Sequence, residues 1–106
     1  MLVHNARSGD SWGSQNRLQQ KFDKHGEKLG FESVWEYEEA SIGLTCTCDG
    51  VAPGVQRKVD SITGKSYFFN KESGEFAITL KDNGILDYYY LDGGQKSFNG
   101  MPGLPG

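Results

Sequence analysis

The chain has 106 residues, of which 36% are hydrophobic and 15 are glycine, and it carries a net charge of −3. That length supports one small domain with a single modest core, and the net acidity argues against a broadly basic nucleic-acid clamp while leaving room for a local cationic cleft. The longest apolar runs span only a few residues, too few for a membrane span or a signal peptide.

Residues 1–13, MLVHNARSGDSWG, show no periodicity and read as a leader or linker, with His4 as a surface residue. Ser14 can cap a helix running from about Gln15 to His25. Leu18, Phe22 and His25 fall on or near one face of it, and Gly26 follows where a helix can turn left-handed and stop. Ser33-Val34-Trp35-Glu36 has the form of a capping box and opens a second helix. Val34, Tyr37, Ser41 and Leu44 share one side of that helix with Ala40 beside them. Glu36, Glu38 and Glu39 read as a solvated face favoured by the helix dipole, and the helix is expected to end near Gly43.

Residues 45–54, TCTCDGVAPG, form a loop. One residue separates Cys46 from Cys48, so a mutual disulfide would be strained. Two cysteines without a second pair or a nearby histidine fall short of a structural zinc site, and both read as reduced, non-catalytic thiols.

Beyond the loop the periodicity becomes strand-like. Four strands are expected, at Val55–Val59, Lys65–Asn70, Glu75–Leu80 and Ile85–Leu91, joined by turns at Asp60–Gly64, Lys71–Gly74 and Asp82-Asn83-Gly84. Phe76, Ile78 and Leu80 alternate inward. The fold class predicted is α+β, with two N-terminal helices packed on one face of a four-stranded antiparallel β-meander. The other face of the sheet should remain open. The domain then spans 14–94, and residues 95–106 read as an irregular tail.

His25 is the strongest site candidate, because Lys21, Lys24 and Lys28 surround it. These cations disfavour the imidazolium and so keep the ring available as a base near neutral pH. They also attract an anionic substrate such as a phosphodiester. No second histidine lies near it, so neither a metal site nor a two-histidine arrangement is expected. A second candidate set lies on the strands: Arg57, Lys58, Lys65, Tyr67, Thr79, Lys81, Asp87, Tyr88 and Tyr90. Strand alternation places Tyr88 and Tyr90 on one face with Leu86, and Asp87 and Tyr89 on the other. An exposed tyrosine can stack a base or donate to a phosphate, and Arg57 or Lys58 can stabilise charge on a pentavalent phosphorus. The chain has no phosphate-binding Gly-rich loop, no G-x-S-x-G elbow and no His-Glu-x-x-His. Asp82-Asn83-Gly84 is a turn rather than a calcium loop.

Residues 18–37, LQQKFDKHGEKLGFESVWEY, resemble the helix-KHG-x-x-x-G-helix-Tyr segment of bacterial toxin nucleases of the barnase–EndoU–colicin–RelE type. The matching pieces are Lys24-His25-Gly26, Gly30, and Tyr37 followed by Ala40. The stretches TGKSYFFN (63–70), SGEFAI (73–78) and KDNGIL (81–86) are similar to the family's strands, so the resemblance covers about residues 15–92. It implies a metal-independent, cofactor-free endoribonuclease, often aimed at tRNA, that leaves a 2′,3′-cyclic phosphate. Such domains are the C-terminal toxins of contact-dependent growth inhibition and polymorphic toxin systems. They act in the cytoplasm of a target bacterium after delivery within a larger secreted or cell-surface protein, and a cognate immunity protein blocks them.

The family's histidine maps onto His25. Its strand basic position is Phe68 here, next to Phe69, which passes that role to Arg57, Lys58 or Lys65, and its last-strand threonine is Tyr88. The catalytic set expected is therefore His25, Arg57, Lys58, Tyr67 and Tyr88, with Lys21, Lys24, Lys28 and Lys65 binding RNA, in a domain that is monomeric when free and does not enter membranes. The alternative reading is a non-catalytic protein-binding module or an acidic immunity or antitoxin protein.

Overall fold

A computed structural model describes residues 12–45 and 54–105. His4, Cys46 and Cys48 lie outside the described residues.

Helix α1, Gln15–Lys21, begins at the expected cap: Ser14 is extended and its Oγ accepts from the Arg17 backbone N–H at 3.1 Å. The core begins earlier than the sequence suggests. Trp12, placed in the leader by its lack of periodicity, is fully buried, and its indole N–H donates to Ser41 Oγ at 3.0 Å. Its ring lies 5.5 Å from that of Tyr37. The helix does not continue to His25 as an α-helix. It widens into a π-turn over Phe22–Gly26, a local feature that often marks functional sites. Gly26 is buried inside this turn, and the left-handed exit falls instead at Gly30, with φ +87°. A Cβ on Gly26 would sit 2.4 Å from the Phe22 ring, so the glycine is what lets Phe22 fold back onto Tyr37 at 5.7 Å.

Helix α2, Val34–Thr45, opens as the capping box predicts, with the Glu36 N–H donating to Ser33 Oγ at 3.3 Å. The Glu36 carboxylate reaches back one residue further than the simplest box, accepting from the Glu32 N–H at 3.0 Å. Tyr37, Ser41 and Leu44 are buried as expected. Glu38 is buried as well, which corrects its assignment to a solvated face: it lies three residues before Ser41, at the margin of the same stripe.

The strands β1 Val55–Val59, β2 Ser66–Asn70, β3 Glu75–Thr79 and β4 Ile85–Tyr90 form the expected antiparallel meander. Asn83 takes φ 71° in the last turn, and Asp82 Oδ1 accepts from the Gly84 N–H at 2.8 Å. A bulge breaks the β3–β4 register: Ile78 opposes Asp87, but the next residue, Thr79, opposes Ile85. Leu86 is skipped. Ile85 therefore joins Tyr88 on the helix side, where simple alternation places Leu86.

The helices cover one face as predicted, with Phe68, Ala77, Ile85 and Tyr88 packed under Trp12, Leu18, Tyr37 and Leu44. The second face is not left open, and the tail is not irregular. A short helix α3, Gly94–Asn99, lays Phe98 against Phe69 and Phe76 at ring distances of 5.5 and 6.5 Å. Burying one such side chain contributes about 1.5–3 kcal/mol. Lys58 ties this helix down, donating to the Asn99 and Met101 carbonyls at 2.7 and 3.1 Å. Gly103, at φ +102°, passes so close to the Val59 carbonyl that a Cβ would sit 2.5 Å from its oxygen. The chain then adds strand β5, Leu104–Pro105, beside β1, giving the sheet order β4-β3-β2-β1-β5. Among the described residues no helix is long and apolar enough to cross a membrane.

Candidate functional site: a lysine-rimmed cleft at the sheet edge

Strand β4 is an edge of the sheet, and the π-turn that follows α1 packs beside it. His25 is carried by that turn. Its ring stacks on Tyr89 at 5.1 Å with an interplanar angle of 28°, and its Nε2 lies 3.4 Å from Asp87 Oδ1. The other Asp87 oxygen, Oδ2, accepts from Lys21 Nζ at 3.2 Å. Asp87 Oδ1 also accepts from the Tyr88 backbone N–H at 3.0 Å. Lys24, His25, Lys28, Asp87, Tyr89 and Tyr90 line a cleft of about 650 Å³. Tyr90 is 45% exposed there.

The electrostatics leave His25 neutral at pH 7. Its pKa is held below 6.5, first by burial, which disfavours the charged ring; Asp87 opposes this, and Lys24, Lys21 and Lys28 add to it. The lysines act in the direction the sequence suggests, but burial is the larger cause. Burial, then Asp87 and Asp92, raise the Tyr89 pKa, so its hydroxyl remains a donor.

The structure brings His25, Lys21, Lys24 and Lys28 together and sets the strand candidates apart from them. Arg57 and Lys58 are adjacent residues of β1 and so point to opposite faces. Three strand spacings separate β1 from β4, about 14 Å. Arg57 lies over the Phe68 ring at 5.5 Å with a long contact of 3.4 Å to Ser66 Oγ, and Lys58 is committed to the carbonyls beyond α3. Tyr67 is 8% exposed and stacks on Phe76 at 6.3 Å on the α3 side. Tyr88 is fully buried; its hydroxyl donates to Glu75 and its carbonyl accepts from the Tyr37 hydroxyl at 2.6 Å. Lys65 precedes β2 and does not line the cleft.

Asp87, Tyr89 and Tyr90 take the places expected for Tyr67 and Tyr88. Alternation correctly puts Asp87 and Tyr89 on one face, opposite Tyr88. The remaining signal is a single carboxylate inside the otherwise uncharged strand ILDYYY. Among the described residues no group of three His, Cys, Asp or Glu side chains could hold a metal ion. No protein-family model and no curated protein matches the chain.

The arrangement offers a neutral imidazole with a carboxylate behind it, two ammonium groups beside it, and an aromatic wall. It suits proton abstraction from a hydroxyl next to a bound anion.

Proposed function

We propose that this chain is an endoribonuclease domain in which His25 is the general base. The observation that carries the reading is the His25–Asp87 pair inside a cleft rimmed by Lys24 and Lys28. A neutral ring is a competent acceptor for the 2′-hydroxyl proton of a bound ribose. The freed 2′-oxygen attacks the adjacent phosphorus, the bond from phosphorus to the 5′-oxygen breaks, and a 2′,3′-cyclic phosphate is left. The departing 5′-oxygen takes its proton from solvent in the open cleft. Lys24 and Lys28 neutralise the charge that grows on the non-bridging phosphate oxygens. Tyr89 holds the imidazole plane, and the exposed Tyr90 ring offers a stacking surface for an unpaired base.

The similarity of residues 18–37 to toxin nucleases extends the proposal to its setting: tRNA as target, delivery into a rival bacterium, and an immunity protein that occupies the cleft. The test is cleavage of total RNA in the presence of a chelator, with the new ends sequenced. Wild-type protein should generate 2′,3′-cyclic ends, and His25→Ala should be slower by about 10²- to 10⁴-fold, the usual worth of a general base. Equal cleavage by the two proteins refutes the assignment of His25. No cleavage by either favours the binding-module reading.

A further inference from the structure

We propose that Asp87 is the positioning residue of His25: it holds the neutral ring with Nε2 protonated and Nδ1 as the proton acceptor, and Lys21 holds the carboxylate in place. The consequence for rate rests on the ribonuclease reading above; the positioning itself does not.

The geometry divides the work between the two carboxylate oxygens. Oδ2 accepts from Lys21 Nζ, while Oδ1 accepts from the Tyr88 N–H and faces His25 Nε2. The three side chains are 24%, 19% and 16% exposed for Lys21, Asp87 and His25, so water screens the contacts only in part. His25 Nε2 is buried, and at 3.4 Å from Oδ1 it is close but not aligned as a hydrogen bond. A lone pair on a buried Nε2 facing a carboxylate oxygen at that distance would be repulsive. A proton there is attractive, so the neutral ring carries its hydrogen on Nε2 and its lone pair on Nδ1. The stack on Tyr89 resists the ring rotation that would exchange the two nitrogens. Contacts of this kind shorten as the ring gains charge in the reacting complex.

Lys21 has a second effect. A bare carboxylate in an anion-binding cleft repels a phosphodiester, and the Lys21 ammonium offsets that charge without entering the cleft wall. The charged groups acting on the ring are Asp87 from β4, Lys21 and Lys24 from α1 and the π-turn, and Lys28 just beyond, and Asp92, past the end of β4, lines the same cleft. Asp87 raises the proton affinity of His25 and the three lysines lower it.

The experiment is ¹⁵N NMR of histidine-labelled protein, with His25 assigned by His25→Gln, followed across pH for wild type, Asp87→Asn and Lys21→Met. Wild type should show the Nε2–H ring. The His25 midpoint should move down in D87N and up in K21M, and D87N should lower kcat on RNA by about tenfold or more with KM unchanged or reduced. An Nδ1–H ring in wild type overturns the proposal without any variant, as does a midpoint that stays fixed or rises in D87N. A raised KM at constant kcat also overturns it, because Asp87 would then be a substrate contact. If wild type cleaves no RNA, the nuclease reading fails while the NMR pattern still decides the positioning role.

Discussion

Two helical glycines should respond to alanine with opposite signs. Gly26 lies in the π-turn, where a new Cβ would meet the Phe22 ring at 2.4 and 2.5 Å. Carbon atoms in contact sit about 3.5–4.0 Å apart, so roughly an ångström of movement is forced. Phe22 is half-buried and packs edge-on against Tyr37 at 5.7 Å, so swinging it away gives up its contact with the core. Overpacking of this kind costs about 1–3 kcal/mol, and the helix preference of alanine over glycine returns at most about 1 kcal/mol. The net expected for Gly26→Ala is a loss centred on about 1 kcal/mol and reaching about 2 kcal/mol, a drop in Tm of roughly 4–8 °C at the centre of that range for a domain of this size. Gly43 sits in α2 with a negative φ and no atom within 4 Å of the added carbon. Gly43→Ala should therefore stabilise by about 0.5–1 kcal/mol. Thermal unfolding of both variants, with Phe22→Leu and the Phe22→Leu/Gly26→Ala pair, completes the comparison. The cost of Gly26→Ala should shrink in the Phe22→Leu background. A Gly26→Ala protein as stable as Gly43→Ala, or a cost that Phe22→Leu leaves unchanged, refutes the packing argument.

Phe98→Ala should destabilise by about 3–5 kcal/mol, because Phe98 is 2% exposed and packs on both Phe69 and Phe76; denaturant unfolding measures it. The folded state holds the His25 pKa below its unfolded value of about 6.5, so unfolded chain binds the proton more readily. Its contribution to stability is therefore complete above pH 6.5 and is lost as pH falls through the folded pKa, and His25→Gln should flatten that part of the pH–stability curve. Lys24→Gln with Lys28→Gln should raise KM for RNA and make it less sensitive to salt, by about 0.7 in log–log slope for each lysine–phosphate ion pair removed. An unchanged salt slope would place the phosphate elsewhere.

The parts of the fold with strong local chemistry are legible in the sequence. Ser14 and Ser33 mark both helix starts, and the Asp82-Asn83-Gly84 turn joins β3 to β4 as its residues require. What stays hidden depends on contacts between distant segments. Trp12 looks like part of a polar leader until its indole is seen on Ser41, 29 residues away. Helix α3 has six residues and one buried side chain, Phe98, so it has no periodicity to read. The bulge beside Leu86 changes the phase of β4 by one residue, which no alternation pattern signals. The site divides the same way. His25 and its lysines are local in sequence and can be picked out together. Asp87 and Tyr89 reach them only because β4 is the sheet edge beside the π-turn, while Arg57 sits about 14 Å away on β1.

Whether His25 abstracts a 2′-hydroxyl proton can be decided with a pair of short oligonucleotides. One is all-ribose; the other carries a single 2′-deoxyribose on the 5′ side of the cleavage point. ³¹P NMR of the reaction in chelator should show a 2′,3′-cyclic phosphate from the first with wild-type protein. No such signal should come from the second oligonucleotide, and with His25→Ala the first should give it at least about 10²-fold more slowly. Cleavage of the 2′-deoxy oligonucleotide at an equal rate would contradict the assignment of His25 as the base that activates the ribose.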